Sequence, residues 1–265
     1  MSGMRDGKLT GVFVPLVTPL KSNLSVCEES LRRLIASVNG SASGLLPGLS
    51  SGEGKKLSER QWRDLVVYST RHSPGLPVFP GVMVEEAERL VSRARFAAGV
   101  GAAGVTLVVP SLNSDDAVNV IDYFTHLARS LPLPIFLYHQ ESDAHVDRIV
   151  EILTAICRLD GVVAIKESSR RPEVATRLRE GRAHSAIFQG WEDLCYESRG
   201  VDGYALALSN LEAGLCAEMR LTPTPDTQQS INVLCEKFNL FDDAWYVHLK
   251  TELWKRGILT TDLTA

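Results

Sequence analysis

The sequence lacks the features that mark disulfide-bonded, zinc-binding and membrane-spanning chains. Its five cysteines are scattered, odd in number and never spaced as C-x-x-C, which argues against a disulfide framework or a zinc site. No apolar stretch reaches about 18 residues without a charge or a proline. The early run Val12–Val17 is too short for a signal or a membrane span, since Pro15 interrupts it and Pro19 follows. We therefore expect a soluble protein of the reducing cytoplasm, without a membrane partner.

Positive charge is also scarce. Lys and Arg total 28 against 32 Asp and Glu, so the net charge is -4, and a nucleic-acid partner is not expected because it would reward clustered positive charge. Aromatic residues make up only 7%, but apolar residues reach 45%, an ordinary value for a globular protein. The 265 residues fit one large α/β barrel or two small domains.

Short apolar runs recur along the chain, and each is followed by an amphipathic stretch. The runs are continuous rather than alternating, which is typical of strands buried on both faces. Eight strand–helix units predict a closed (β/α)₈ TIM barrel, with a doubly wound open sheet as the alternative. The predicted strands are Val12–Val17, Ser43–Leu46, Pro77–Pro80, Gly104–Val109, Pro134–Tyr138, Gly161–Ile165, Ser185–Phe188 and Gly203–Leu208. Predicted helices between them include Glu59–Arg71, Glu85–Ala98, Ala117–Arg129, Arg148–Cys157 and Glu173–Leu178.

The strand pattern stops after Ser209. Three helix-like segments follow, Asn210–Arg220, Gln228–Lys237 and Asp243–Arg256. We therefore predict a barrel over residues 1–209 and a small helical extension over residues 210–265, which would cover the side of the barrel or make subunit contacts.

Two motif matches point to other chemistries. Gly99–Gly104 fits G-x-G-x-x-G, but it lies between a helix and a strand, the reverse of the order that a dinucleotide site needs, so we interpret it as a helix stop and a turn. Gly48–Gly52 fits the G-x-S-x-G nucleophile elbow of serine hydrolases. The elbow's helix should follow at once, whereas the next predicted helix starts later, with Ser58 as N-cap and Gln61 completing a capping box. A hydrolase with Ser50 as nucleophile is kept as the last alternative.

One lysine is placed for covalent chemistry. Lys166 follows the apolar run Gly161–Ile165, and in a barrel the catalytic groups lie where strands end. An apolar wall favours the neutral amine that imine formation needs. Tyr138 closes the preceding strand, so it should stand beside Lys166 as a proton carrier. Ser50 and Ser51 lie between glycines, on a loop whose backbone N–H groups could approach an anion.

These segments, in this order, resemble the dihydrodipicolinate synthase / N-acetylneuraminate lyase superfamily of class I pyruvate aldolases. Leu49–Glu53 resembles its G-[ST]-[ST]-G-E loop, with leucine in place of the first glycine. Leu137 and Tyr138 resemble its tyrosine strand, and Ile165–Ser169 its lysine strand. Gly190 stands where the family has a glycine after strand seven. The resemblance runs from Gly11 to the C-terminal helices.

The resemblance implies a role for each matching residue. Lys166 would form an imine with the keto carbonyl of pyruvate or a similar 2-keto acid, and Ser50 and Ser51 would hold its carboxylate. Tyr138 would move the proton, with Ser51 as the next link. No metal or organic cofactor is implied, and the partners are a 2-keto acid, an aldehyde and further copies of the chain in a dimer or tetramer. The remaining predicted substrate-binding residues are Gly190, Trp191, Glu192, Ala205 and Arg170.

Two positions depart from the family pattern. The relay tyrosine that the family donates across a subunit contact falls at Leu112, and the arginine that the synthase branch uses for its aldehyde falls at Asp143. We expect Arg170 or Arg171 to recognise an anionic group instead. The predicted activity is an aldolase or lyase reaction next to pyruvate. The alternatives are a 2-keto-3-deoxy sugar acid dehydratase that uses the same imine, and a degenerate barrel that binds a keto acid without turnover.

Overall fold

Seven parallel strands of the described residues form one curled sheet. The computed structural model describes residues 4–5, 8–73, 75–84, 86–112, 117–141, 143–181 and 184–265. A short antiparallel pair, β1 (Met4–Arg5) and β2 (Lys8–Leu9), precedes the sheet. The sheet consists of β3 (Gly11–Val14), β4 (Gly44–Leu45), β5 (Val105–Val108), β6 (Ile135–His139), β7 (Val162–Glu167), β8 (Ala186–Gln189) and β9 (Gly203–Tyr204), in the order β4-β3-β9-β8-β7-β6-β5.

The segment 77–81 closes this sheet into a barrel. Val78 forms a parallel bridge with Leu45 of β4, and Gly81 forms one with Thr106 of β5. It therefore takes the place of the predicted third strand between the two edges of the sheet. Closure is the point that a count of apolar runs could not decide, and the structure confirms the TIM barrel over the open sheet.

Helices pack around the barrel and extend beyond it. They are α1 (Glu28–Val38), α2 (Glu59–Arg71), α3 (Ala87–Gly99), α4 (Ala117–Ser130), α5 (Val146–Ile156), α6 (Pro172–Glu180), α7 (Ser209–Leu221), α8 (Pro225–Lys237) and α9 (Trp245–Lys255). Glu85, the first residue of the predicted helix Glu85–Ala98, lies outside the described residues. Between β8 and β9 the chain forms the short 3₁₀ helix Glu192–Leu194 in place of an α-helix. In the described part of the chain, no helix has the length and apolar character needed to cross a membrane.

The helices α7, α8 and α9 confirm the prediction that a helical extension follows the barrel. α7 packs against β3, β9 and α1, while α8 packs against α7 and the 3₁₀ turn. α7 thus covers the last strand of the barrel, and α8 and α9 lie beyond it. The division at residue 209 stays a prediction.

The barrel interior is filled by aromatic rings. Phe13, Phe79, Phe136 and Phe188 pack with ring centroids 5.0–6.1 Å apart. These rings leave no space for side chains at neighbouring glycines: a Cβ on Gly203 would lie 2.3 Å from the Phe188 ring. Large and small residues therefore alternate across the interior, and the rings form a solid floor below the carboxyl ends of the strands.

The structure confirms both interpretations of the glycine-rich motifs. α3 ends at Gly99, Gly101 adopts a positive φ of 87°, and β5 begins at Val105, so this segment is a helix stop and a turn. Ser58 caps α2 through the predicted capping box with Gln61. No helix starts directly after Ser50, as an elbow would require.

Candidate active site

Lys166 and Tyr138 lie side by side at the carboxyl end of the barrel. Strand register pairs Tyr138 of β6 with Lys166 of β7, and Lys166 with Phe188 of β8. Because side chains alternate along a strand, Phe136 and Tyr138 share the inner face with Ala164 and Lys166. The Lys166 side chain is only 7% exposed, and its Nζ lies 4.6 Å from the centre of the Tyr138 ring. The amine therefore points into the barrel mouth beside the phenol, as predicted.

The loop after β4 brings a serine hydroxyl to this pair. Ser50 Oγ lies 3.2 Å from the Tyr138 hydroxyl, and either atom can donate the hydrogen bond. Gly48, with φ of 74°, lets the loop turn sharply, and a Cβ on Gly54 would lie 1.8 Å from the Gly48 carbonyl oxygen. The observed contact is to Ser50, whereas the sequence pointed to Ser51 as the link. Ser51 is buried in the same turn, and its part in a relay stays a prediction.

Gly190 packs closely against the Lys166 side chain, and only a residue without a side chain fits there. A Cβ on this residue would lie 2.6 Å from Lys166 Cε and 1.9 Å from Ser168 Oγ. Its own N–H donates to the Glu167 carbonyl at 2.8 Å, which holds β8 against β7 at the rim. Ala205, also predicted to bind substrate, is buried in the same apolar cluster as Tyr138. Gly190 therefore lies against Lys166, and Ala205 belongs to the apolar packing around Tyr138; their binding of substrate stays a prediction.

Arg170 is already engaged by protein groups. Its guanidinium lies 4.2 Å from the centre of the Trp191 ring and forms an ion pair with Asp193. The Trp191 indole N–H in turn donates to the Ser168 carbonyl at 2.7 Å. Arg170 and Trp191 thus form part of the rim, as expected. Recognition of an anionic substrate by Arg170 stays a prediction, and it would compete with Asp193.

The Glu192 carboxylate points into the protein interior. The residue is buried, and its Oε1 accepts a hydrogen bond from the Leu208 N–H at 3.1 Å. Burial raises the pKa of this carboxyl, while the Leu208 N–H and the positive charge of Lys166 act in the opposite direction. The contact ties the turn after β8 to the start of α7. Binding of a substrate hydroxyl by Glu192 stays a prediction.

The Leu112 side chain is buried by residues of the same chain. The residue is 1% exposed, and its N–H donates to the Glu141 carboxylate, which also accepts from the Ser111 hydroxyl. Asn113, which follows it, lies outside the described residues. A leucine side chain cannot carry a proton, so any relay through this position must be replaced by another route. Ser50 and Tyr138 supply hydroxyls in direct contact.

A buried His–Glu pair behind the site was not predicted. His139 and Glu167 are the register partners that follow Tyr138 and Lys166, and strand alternation turns them to the outer face. His139 Nδ1 lies 3.2 Å from Glu167 Oε1, which also accepts from the Ser169 N–H at 2.8 Å. Two titratable residues directly after the reactive pair were the sequence signal. The pair fixes the ends of β6 and β7.

Two further observations concern Ser50 as a nucleophile and the residues that could bind a metal ion. A nucleophilic serine needs an adjacent base, and the hydroxyl next to Ser50 belongs to a phenol. Within the described ranges, no three His, Cys, Asp or Glu residues lie close enough to hold a metal ion.

A cavity of about 830 Å³ lies beside this site rather than in it. Its lining includes Lys55, Arg93, Val109 and Tyr123, and excludes both Lys166 and Tyr138. We assign the candidate active site to Lys166 and Tyr138, because a catalytic centre is identified by reactive side chains that lie together and not by the volume of a cavity.

The fold and the site together define a class: a (β/α)₈ barrel with a buried lysine beside a tyrosine at its carboxyl rim. The sequence matches the Dihydrodipicolinate synthetase family over residues 8–260. The chain belongs to this family.

Individual relatives are distant. The chain is 25% identical over 217 residues to the 4-hydroxy-tetrahydrodipicolinate synthase of Bartonella bacilliformis, covering 80% of this chain and 74% of that protein. Against the enzyme of the same name from Magnetococcus marinus, identity is 27% over 214 residues, with 79% and 73% covered. Dihydrodipicolinate synthase from Bacteroides thetaiotaomicron superposes with a TM-score of 0.88 at 23% identity, covering 97% and 91%. CdNal from Clostridium difficile, solved with mannosamine, gives 0.82 at 17% identity, covering 94% and 89%. These two structures support the fold.

Proposed function

We propose that this protein is a lyase that makes or breaks a carbon–carbon bond between pyruvate, or a similar 2-keto acid, and an aldehyde, through an imine on Lys166. The observation that carries the proposal is the buried Lys166 amine, 4.6 Å from the centre of the Tyr138 ring at the barrel mouth. Membership of the family supports the reaction class. Two of its relatives are 4-hydroxy-tetrahydrodipicolinate synthases, which supports a reaction that builds a larger molecule.

The first half of the proposed reaction forms the covalent intermediate. The neutral Lys166 amine attacks the keto carbon, and the resulting carbinolamine loses its hydroxyl as water to give an iminium. Tyr138 donates the proton that this hydroxyl needs to leave, and the Ser50 hydroxyl, 3.2 Å away, stabilises the resulting phenolate by a hydrogen bond. The keto-acid carboxylate is held by the serines and N–H groups of the loop after β4.

The second half uses the iminium as an electron sink. The Tyr138 phenolate takes a proton from C3, and the electron pair of that bond moves into the C2–C3 bond to give an enamine. Its C3 attacks the aldehyde carbon and forms the new carbon–carbon bond, while the Tyr138 hydroxyl protonates the aldehyde oxygen and the iminium is regenerated. Water then hydrolyses the iminium, which frees the product and the Lys166 amine. Cleavage follows the same steps in reverse. The rim at Trp191 accommodates the aldehyde.

A turnover assay tests the proposal. Wild-type protein is incubated with pyruvate and a panel of aldehydes, together with one 2-keto-3-deoxy sugar acid, and products are identified by mass spectrometry. We expect a carbon–carbon adduct with at least one aldehyde, loss of that activity in Lys166→Met, and its retention in Lys237→Met, which changes an exposed lysine.

Other outcomes select the alternatives. Water loss from the sugar acid alone would identify a dehydratase. An imine without any product would identify a binding barrel. Covalent labelling of Ser50 by a fluorophosphonate, with no imine, would overturn the proposal in favour of a hydrolase.

A further inference from the structure

The carboxylate of Glu53 connects the serine loop to the C-terminal helices. Glu53 lies three residues after Ser50 and is almost completely buried. One carboxylate oxygen, Oε1, pairs with the Lys250 ammonium of α9, and the other, Oε2, accepts from the Ala265 N–H at 2.6 Å. Both oxygens are therefore hydrogen bonded to the C-terminal extension.

Lys250 is equally committed to this contact. Its side chain is 0% exposed, and its Nζ also donates to the Leu263 carbonyl at 2.8 Å. Burial lowers the pKa of Lys250, and the negative charge of Glu53 opposes that effect. A buried ion pair is costly to desolvate and is weak evidence for stability by itself, and its best-attested use is to fix one particular arrangement of the chain.

Backbone hydrogen bonds within the turn link Glu53 directly to Ser50. The Glu53 N–H donates to the Ser50 carbonyl at 3.0 Å, and the Gly54 N–H donates to the Leu49 carbonyl at 3.0 Å. Glu53 itself has φ of 56°, in the left-handed region that a residue with a Cβ adopts only when its surroundings hold it there. The Thr18 hydroxyl donates to the Gly52 carbonyl at 2.6 Å on the barrel side of the turn. The turn is thus held from the barrel by Thr18 and from the extension by Glu53.

We propose that Glu53 and Lys250 are positioning residues: by tying the serine loop to α9, they hold the Ser50 hydroxyl against Tyr138 and the loop's N–H groups where the keto-acid carboxylate binds. This inference rests on the proposed function of the loop. It gives the C-terminal extension a part in the reaction through its contact with the serine loop.

The experiment compares Glu53→Gln/Lys250→Met, which removes both buried charges, with Arg256→Met. The control breaks a different contact of the extension, in which Arg256 joins the end of α9 to Glu212 of α7. Trapping of pyruvate with borohydride is first checked in the wild type. For the double variant we expect kcat/KM for pyruvate to fall by about tenfold to a hundredfold, in the range that a misplacement near 1 Å produces. KM for the aldehyde should stay unchanged. A crystal structure should show a longer Ser50–Tyr138 contact than 3.2 Å.

Each result separates the two proposals. If the wild type traps no pyruvate, the proposed function fails, and the Ser50–Tyr138 distance in the variant still tests the positioning. If the wild type is active and the folded double variant matches Arg256→Met in pyruvate kinetics and in that distance, the positioning role is overturned. Should the double variant not fold, Glu53→Asp keeps the charge opposite Lys250 but shortens the side chain by one carbon, and it should show a smaller change in the same direction; no change there contradicts the inference.

Discussion

Replacing Gly190 by alanine perturbs the site by a single methyl group. Gly190 is outside the set of glycines with positive φ, so its backbone can accept alanine. The added Cβ would lie 2.6 Å from Lys166 Cε, 1.9 Å from Ser168 Oγ and 3.1 Å from the Glu167 carbonyl oxygen. The Ser168 hydroxyl can rotate away, but the lysine chain must shift.

The size of the shift sets the expected effect. Carbon atoms in contact prefer a separation of about 3.5–4.0 Å, so Lys166 Cε must retreat by about 1 Å. A displacement of that size near a reacting group costs about a hundredfold in rate, or about 2.7 kcal/mol of activation free energy. The crowding itself should lower the free energy of unfolding by about 1–3 kcal/mol.

The assay is the rate of pyruvate-dependent trapping at Lys166, with thermal unfolding measured in parallel. Gly40→Ala is the matched control, because a Cβ there would have nothing within 4 Å. The control should trap pyruvate at the wild-type rate. A folded Gly190→Ala protein that also traps at the wild-type rate would refute the placement of the reacting centre beside Gly190.

Two substitutions and one labelling experiment test separate parts of the account. Tyr138→Phe keeps the ring beside Lys166 but removes the hydroxyl, so kcat should fall by about 10²–10⁴-fold at a nearly unchanged melting temperature; a fall of less than about tenfold would contradict the relay. Burial raises the Glu192 pKa above its ordinary 4.5, so the stability that this carboxyl contributes is full below pH 4.5 and is lost as pH rises through the folded-state pKa. Glu192→Gln should therefore gain in melting temperature relative to wild type as pH rises from 4 to neutrality, and a constant difference would count against this. Burial raises the pKa of the Cys157 thiol to about 12, so this thiol should react with a disulfide reagent only after unfolding, as peptide mapping would show.

The strands were predictable because burial on both faces leaves a direct trace in the sequence. The runs Pro134–Tyr138 and Gly161–Ile165 became β6 and β7 with shifts of one or two residues. The bounds of α2 were predicted correctly because Ser58 and Gln61 specify where a helix begins. The positions of Lys166 and Tyr138 at neighbouring strand ends followed from the same pattern, since parallel strands end at one rim.

Contacts between distant segments were not predictable in the same way. Ser50 rather than Ser51 meets Tyr138, because the direction of a side chain in a glycine-rich turn depends on packing that no local pattern encodes. Arg170 is paired with Asp193, 23 residues away, and Glu53 with Lys250, 197 residues away. The first pairing depends on the folding of the segments that follow β7 and β8, and the second on the packing of the extension against the loop after β4.

The most direct measurement of the central claim is the site of covalent attachment. Wild-type protein is treated with pyruvate and borohydride, digested, and analysed by peptide mass spectrometry, with Lys166→Met and pyruvate-free samples alongside. A reduced pyruvyl group on Lys166, absent from both comparison samples, is the predicted result. An unmodified Lys166 peptide, or an adduct spread over exposed lysines, would contradict the claim that this amine condenses with a keto acid.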